Sequence, residues 1–327
     1  MFGVAFSDPA LEARVRAGAD RVEQALARAV DSSDPFVAEA AAHLMRAGGK
    51  RFRPLLVLLA AELGDPEHPD IVPAAVVVEL THLATLYHDD VMDEADVRRG
   101  APSANARWNN TLAILVGDFL FAQASDLCST LGPEAVSIQA RTFSRLVHGQ
   151  IAETTGPRDG EDPLQHYLRV VADKTGSLIA TSARFGARTS GAGDRVEELL
   201  TEYGERIGTA FQLSDDVLDI ASETDDSGKT PGTDLREGVP TLPTLIARQS
   251  QDPDDADLVA ALSGPITDED EVQRVLARLR THPAMDQARA YVQGEADAAR
   301  ALLDELPAGP ARDALAALCD VVATRLA

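Results

Sequence analysis

Residues 82–100 read HLATLYHDDVMDEADVRRG. An apolar helical run ends on Asp89-Asp90-x-x-Asp93, and two arginines follow. In a helix Asp89 and Asp93 stand at i and i+4, on one face, with Asp90 beside them. Like charges at that spacing destabilise a helix by a few tenths of a kcal/mol. The same arrangement recurs in FQLSDDVLDI, residues 211–220, as Asp215-Asp216-x-x-Asp219. One triplet in an acidic protein is readily a solvated face. Two with identical spacing, each after an apolar stretch, point to chemistry. Carboxylate oxygens on one face suit a hard cation that keeps its waters and shares substrate phosphates, which is Mg²⁺.

The chain around these triplets reads as helical throughout. It has 327 residues, 45% hydrophobic and 25% charged, with only 4% aromatic. It leans on Ala, Leu, Glu and Arg, which favour helices over strands. Breakers predict helices over 9–30, 35–47, 54–63, 73–94, 109–131, 133–155, 163–188 and 194–221, with Pro54 and Pro73 opening two of them. Residues 222–238 read as a loop, and shorter helices fill 241–327. No repeat and no long linker divides the chain, so a single all-α domain over 1–327 is expected.

The net charge is −23 and the isoelectric point about 4.6. That excludes the basic footprint of a nucleic-acid binder. The N-terminus lacks a signal-peptide pattern, and the apolar run near Leu55–Ala61 is far below the ~20 residues of a membrane span. Cys128 and Cys319 have no metal or disulfide spacing and read as reduced thiols of a cytoplasmic protein.

Of 30 basic residues only three are lysine. Lys50 lies in GGKRFRP with Arg51 and Arg53, Lys174 in KTG beside Thr175, and Lys229 in GKTPGTDLREG. Lysine supplies a hydrated point charge and arginine a bidentate fork, and phosphate sites commonly use both. Gln212, Asp215, Asp216 and Asp219 form an i, i+3, i+4, i+7 stripe, and His82 shares a face with Asp89.

Taken in order, GGKRFRP (48–54), HLATLYHDDVMD (82–93) with RRG (98–100), HGQ (148–150), KTG (174–176), FQLSDDVLD (211–219) and GKTPGTDLREG (228–238) resemble the trans-isoprenyl (polyprenyl) diphosphate synthases. The resemblance spans residues 43–243. It implies an all-α isoprenoid-synthase-type bundle around a deep central cavity, in a homodimer, with the two Asp clusters facing each other. The implied catalytic set is Asp89, Asp90, Asp93, Asp215, Asp216 and Lys174. The implied metal ligands are Asp89, Asp93, Asp215 and Asp219, holding Mg²⁺, roughly three ions per site, with Mn²⁺ as a substitute. Lys50, Arg53, His82 and Arg99 would hold isopentenyl diphosphate. Arg98, Lys174, Thr175, Gln212 and Lys229 would hold an allylic diphosphate. The family's usual Glu-Gly-Lys is Glu237-Gly238-Val239 here, so one expected cation is missing.

Product length is expected to follow the helix wall below Asp89. Ala84 and Thr85 lie one turn down and Thr81 a turn further, and none is aromatic. Val77 or Val78 comes next, so the wall stays open for ~16 Å at 1.5 Å per residue. Because this wall does not close early, a long product of around C30–C50 is expected. Phe119, Phe121 and Phe143 are the candidate plugs from other helices. The rivals are a short-chain farnesyl or geranylgeranyl diphosphate synthase and a class I terpene cyclase. A cyclase lacks GGKRFRP and the second Asp triplet, and a regulatory subunit would have eroded triplets. Glu79-x-x-His82 has no second copy, so a di-iron bundle is set aside as coincidence.

Overall fold

The computed structural model describes residues 3–222 and 231–325, which form helices joined by loops, with one short hairpin as their only strands. The helices are α1 (Pro9–Ala29), α2 (Pro35–Arg46), α3 (Phe52–Ala61), α4 (Ile71–Met92), α5 (Ala104–Arg107), α6 (Asn110–Ser129), α7 (Pro133–Thr155) and α8 (Pro163–Val171). They continue with α9 (Ser177–Thr189), α10 (Asp194–Ala221), α11 (Thr233–Glu237), α12 (Leu242–Ala247), α13 (Ala256–Ala261), α14 (Glu269–Arg280), α15 (Pro283–Leu303) and α16 (Pro310–Thr324). Lys229 lies outside the described residues.

Much of the acidity sits at helix starts. Asp8, Asp34, Asp162 and Asp268 each accept a backbone N–H of the first turn, which satisfies donors that no helix can pair internally. Pro54 and Pro73 do not open their helices as expected. α3 starts at Phe52 and α4 at Ile71, two residues earlier. The first four N–H groups lack helical partners, so proline is tolerated through that turn.

The chain forms two compact units. The first comprises Met1–Phe143, Leu178–Gly204 and Asp304–Ala317. Its centre is α4, which buries residues on every side, from Ile71 and Val76 through Leu80 and Leu83 to Tyr87. α1 lays a stripe of Leu11, Val15, Val22 and Leu26 inward, and α3 buries Leu56, Val57 and Leu59. The Tyr87 hydroxyl donates to Ala40 O at 2.5 Å and accepts from Leu44 N at 3.2 Å, fixing α2 against α4. The second unit comprises Ser144–Ser177, Glu205–Leu303 and Leu318–Ala327. It closes over Ile207, Leu213, Val217 and Ile220 of α10 together with Leu242 and Leu245 of α12 and Val292 of α15.

Among the described residues two helices, α4 and α6, are long and apolar enough to cross a membrane by length and composition. Two-thirds of the α4 window is buried inside the protein, as expected of a core helix. The expected continuous helix over 163–188 is interrupted by a π turn, Ala172–Gly176, between α8 and α9. π turns of this kind recur at functional sites, and this one carries Lys174 and Thr175.

Candidate active site

In the first unit α4 delivers its aspartates at its last turn. Asp90 is fully buried and accepts from Arg98 Nε at 2.5 Å, while its Oδ2 is buried without a partner. Burial pushes the Asp90 carboxyl above the usual carboxylate range, against the pull of Arg98. Asp93 caps α4 and lies 4.0 Å from Arg98 Nη2, with its side chain 47% exposed. Asp89 is half-buried.

Arg98 and Arg99 arrive on a hairpin in which Val97–Arg98 (β1) pairs with Ala101–Pro102 (β2). Arg99 and Gly100 both have positive φ, 56° and 75°, as a two-residue hairpin turn requires. The RRG motif is therefore a turn that aims two adjacent arginines in different directions. Arg99 Nη1 donates to Leu44 O at 2.9 Å and to Gly48 O, at the C-terminal end of α2. Arg51 reaches the same end, donating to Met45 O at 3.0 Å and Gly48 O at 3.3 Å. Cationic groups there meet orphan carbonyls and the negative end of the helix dipole. Arg53 has a buried Nε with no partner, and burial lowers its guanidinium to about 10. His82 is half-buried; desolvation, and then the charges of Arg53, Arg99, Arg98 and Arg51, drive its pKa well below the ordinary value. It is a neutral imidazole near pH 7. Lys50 is exposed beside this cluster in sequence.

Ala84 is fully buried, Thr85 half-buried, and Thr81 fully buried with Gln139 Nε2 donating to its Oγ1 at 2.6 Å. Phe143 is 37% exposed and packs on Phe121 with ring centroids 4.5 Å apart. Phe121 in turn meets His88 at 5.7 Å, so this pair builds an outer aromatic patch.

The second unit holds the other half of the expected residues. The Thr175 hydroxyl donates to Gln212 Oε1 at 3.1 Å, and Gln212 Nε2 donates to Asp216 Oδ1 at 3.0 Å. The Tyr167 hydroxyl donates to Asp216 Oδ2. Asp216 is 6% exposed, and burial raises its carboxyl to about 6 despite both donors. Asp215 accepts from Arg325 Nη2 at 2.7 Å, and Arg325 also lies over the Phe211 ring at 5.0 Å. Asp219 accepts from Thr233 N at 3.2 Å and Asp234 N at 3.3 Å, capping the start of α11. Lys174 is paired with Glu153. HGQ has a packing role: a Cβ on Gly149 would sit 2.8 Å from Lys174 N, so only glycine lets α7 approach the π turn this closely.

Both triplets offer hard oxygen donors, and the buried Asp90 Oδ2 has no hydrogen-bond partner. Among the described residues no three His, Cys, Asp or Glu side chains gather into a metal site by themselves. Such a donor set fits an ion whose shell is completed by water and a diphosphate. Sequence reasoning did not single out Tyr167 or Arg325, which lie outside every motif, and it set Glu79 aside.

Residues 34–279 match the polyprenyl synthetase family. A nonaprenyl diphosphate synthase of Mycobacterium tuberculosis is 51% identical over 324 residues, covering 99% of this chain and 97% of its relative. An octaprenyl diphosphate synthase of Escherichia coli is 32% identical, covering 93% of this chain and 94% of its own. A geranylgeranyl pyrophosphate synthase from Corynebacterium glutamicum, solved with calcium and isoprenyl diphosphate, matches with a TM-score of 0.90 at 46% identity over 99% of both chains. The chain belongs to the polyprenyl synthetase family and is a prenyltransferase with the all-α isoprenoid synthase fold.

Proposed function

We propose that the protein condenses isopentenyl diphosphate with an allylic diphosphate to make an all-trans polyprenyl diphosphate of medium or long chain, around C30–C50. The observation that carries the reading is the arginine cluster of Arg51, Arg53 and Arg99 around His82, beside the first Asp triplet. A terpene cyclase binds one diphosphate and has no use for a second basic site.

In this reading Lys50, Arg53, His82 and Arg99 hold the isopentenyl diphosphate. Arg98, Lys174, Thr175, Gln212 and Lys229 hold the allylic diphosphate. Asp89, Asp93, Asp215 and Asp219 would hold Mg²⁺, roughly three ions per site, with Asp90 and Asp216 supporting their neighbours. The metal supplies charge neutralisation of the departing diphosphate. The positive charges of Arg98 and Lys174 would favour heterolysis of the allylic C1–O bond. The double bond of isopentenyl diphosphate attacks the allylic cation, forming the new C–C bond. A C2 proton then leaves to the released pyrophosphate, restoring a double bond. No protein nucleophile is required.

Product length rests on the small side chains at Ala84, Thr85 and Thr81, and on the nonaprenyl and octaprenyl relatives. A second reading, a shorter geranylgeranyl product, is favoured by the name of the 46% identical solved structure. Incubating the protein with Mg²⁺, isopentenyl diphosphate and each allylic primer, followed by chain-length chromatography, decides between them. No elongation with any primer overturns the reaction assignment. Ala84→Phe is expected to shorten the product, and an unchanged length removes this wall as the ruler.

The same reading makes the protein a cytoplasmic homodimer. The dimer is supported by an exposed apolar row of Val136, Phe143, Val147 and Ile151 along one face of α7, with Ile114 and Leu115 exposed on α6. Sedimentation at micromolar concentration should give twice the chain mass.

A further inference from the structure

We propose that Glu79 is the positioning residue of the isopentenyl diphosphate site, a buried carboxylate that holds Arg51, Arg53 and Arg99 together as one phosphate-binding cluster. The inference rests on the reading that this cluster binds isopentenyl diphosphate.

Glu79 is 2% exposed on α4, one turn before His82. Arg51 Nη1 donates to its Oε1 at 3.1 Å. Arg51 also holds Glu23 Oε1 at 2.5 Å and shares the Gly48 carbonyl with Arg99. The two guanidiniums converge on Gly49, where an added Cβ would lie 2.8 Å from Arg51 Nη1 and 3.0 Å from Arg99 Cζ. Gly49 itself has φ 145°, a backbone conformation that strains any residue with a side chain. Guanidiniums this close repel one another, more so where water is excluded. Glu79 is the buried anion they share. Its charge acts on Arg53 and Arg99 as well as on its hydrogen-bonded partner Arg51.

Three arginines less the carboxylates of Glu79 and Glu23 leave one net positive charge; Lys50, in the set proposed for isopentenyl diphosphate, makes it two, and neutral His82 adds polarity without more charge. That balance suits a diphosphate better than three unrestrained cations would, because the forks are held ready before the ligand arrives. Glu79 is too buried to touch a ligand, so its effect runs through the arginines.

The sign of the effect separates positioning from simple charge. If Glu79 acted only as a nearby negative charge, removing it would tighten diphosphate binding. If it positions the cluster, removing it loosens binding. Glu79→Gln in the full chain is therefore measured with isopentenyl diphosphate varied at saturating allylic substrate, and then the reverse. The expected result is a KM for isopentenyl diphosphate raised about tenfold, with kcat and the allylic KM within about twofold of wild type. Titration calorimetry with isopentenyl diphosphate alone should show the same loss. A KM or dissociation constant equal to or below wild type overturns the proposal. If circular dichroism shows Glu79→Gln unfolded, Glu79→Asp decides: it keeps the charge but withdraws the carboxylate by about one bond, and an unraised KM overturns the proposal equally. A wild-type chain that binds isopentenyl diphosphate more tightly than Glu79→Gln yet never elongates would overturn the functional reading and support the role of Glu79.

Discussion

The two aspartate triplets share one spacing and live in opposite surroundings. In the first, the buried middle residue Asp90 is answered by a cation, Arg98 at 2.5 Å. In the second, the buried middle residue Asp216 is answered by neutral donors, Tyr167 and Gln212. The outer residues differ as well. Asp93 is open to solvent at a helix end, whereas Asp219 uses both oxygens on backbone N–H groups and Asp215 already carries Arg325. Identical sequence spacing therefore yields two sites with different charge, stiffness and readiness for a metal. The first is balanced by its own neighbour, and the second has only neutral donors, which do not offset the burial that raises Asp216 to about 6.

The largest expected effect treats the triplets as equals. Asp89→Ala and Asp215→Ala should each lower kcat by ~10³-fold or more while circular dichroism shows an unchanged fold. Near-normal turnover in either would remove that triplet from the metal site. The next test sets them apart. Arg98→Leu strands a buried carboxylate and should cost about 2 kcal/mol of stability, discounted because Arg98 is itself partly exposed. Tyr167→Phe removes one of two neutral donors and should cost about 1 kcal/mol. Denaturant unfolding that reversed this order would break the comparison.

A smaller effect is expected from Arg325→Gln. With its cation gone, Asp215 should bind Mg²⁺ about threefold more tightly in a substrate-free calorimetric titration. An unchanged affinity would show that Arg325 does not compete for that oxygen.

The smallest effect contrasts Asp216 with Asp255 in the same unit. Hydrogen bonds from Ser250, His282 and Arg278 hold Asp255 down to about 2. A lowered carboxylate stabilises the fold above its unfolded value of about 3.9 and loses that contribution as the pH falls through its folded value. Asp255→Asn should therefore differ from wild type at neutral pH and converge with it below about pH 2 in acid-unfolding curves. A gap that persists in stronger acid would assign the effect to something other than charge.

Much of this was legible in the sequence. The Asp spacing, the flanking cations and the helix-rich composition were enough for the fold class and the reaction class, because each depends on local spacing or on short motifs. The helix expected over 194–221 was readable for the same reason, and the one expected from 109 begins one residue later, with Asn109 as its cap. Helix starts at Phe52 and Ile71 were misjudged because proline tolerates several positions in a first turn. The π turn at Ala172–Gly176 left no signal, since one extra residue in a turn does not disturb apolar periodicity enough to see.

Partners were the part that local reading could not reach. Glu79-x-x-His82 was judged a coincidence as a metal motif, yet Glu79 binds Arg51 across 28 residues of chain. Arg325 meets Asp215 across 110 residues, and Tyr167 meets Asp216 across 49. By itself the sequence determined which residue types were available and at what helical spacing, because a helix converts spacing directly into a shared face. Only the tertiary structure decided which aspartate is paired with a cation, which accepts from a phenol and which from backbone, because burial and long-range contact set the charge each carboxylate can hold.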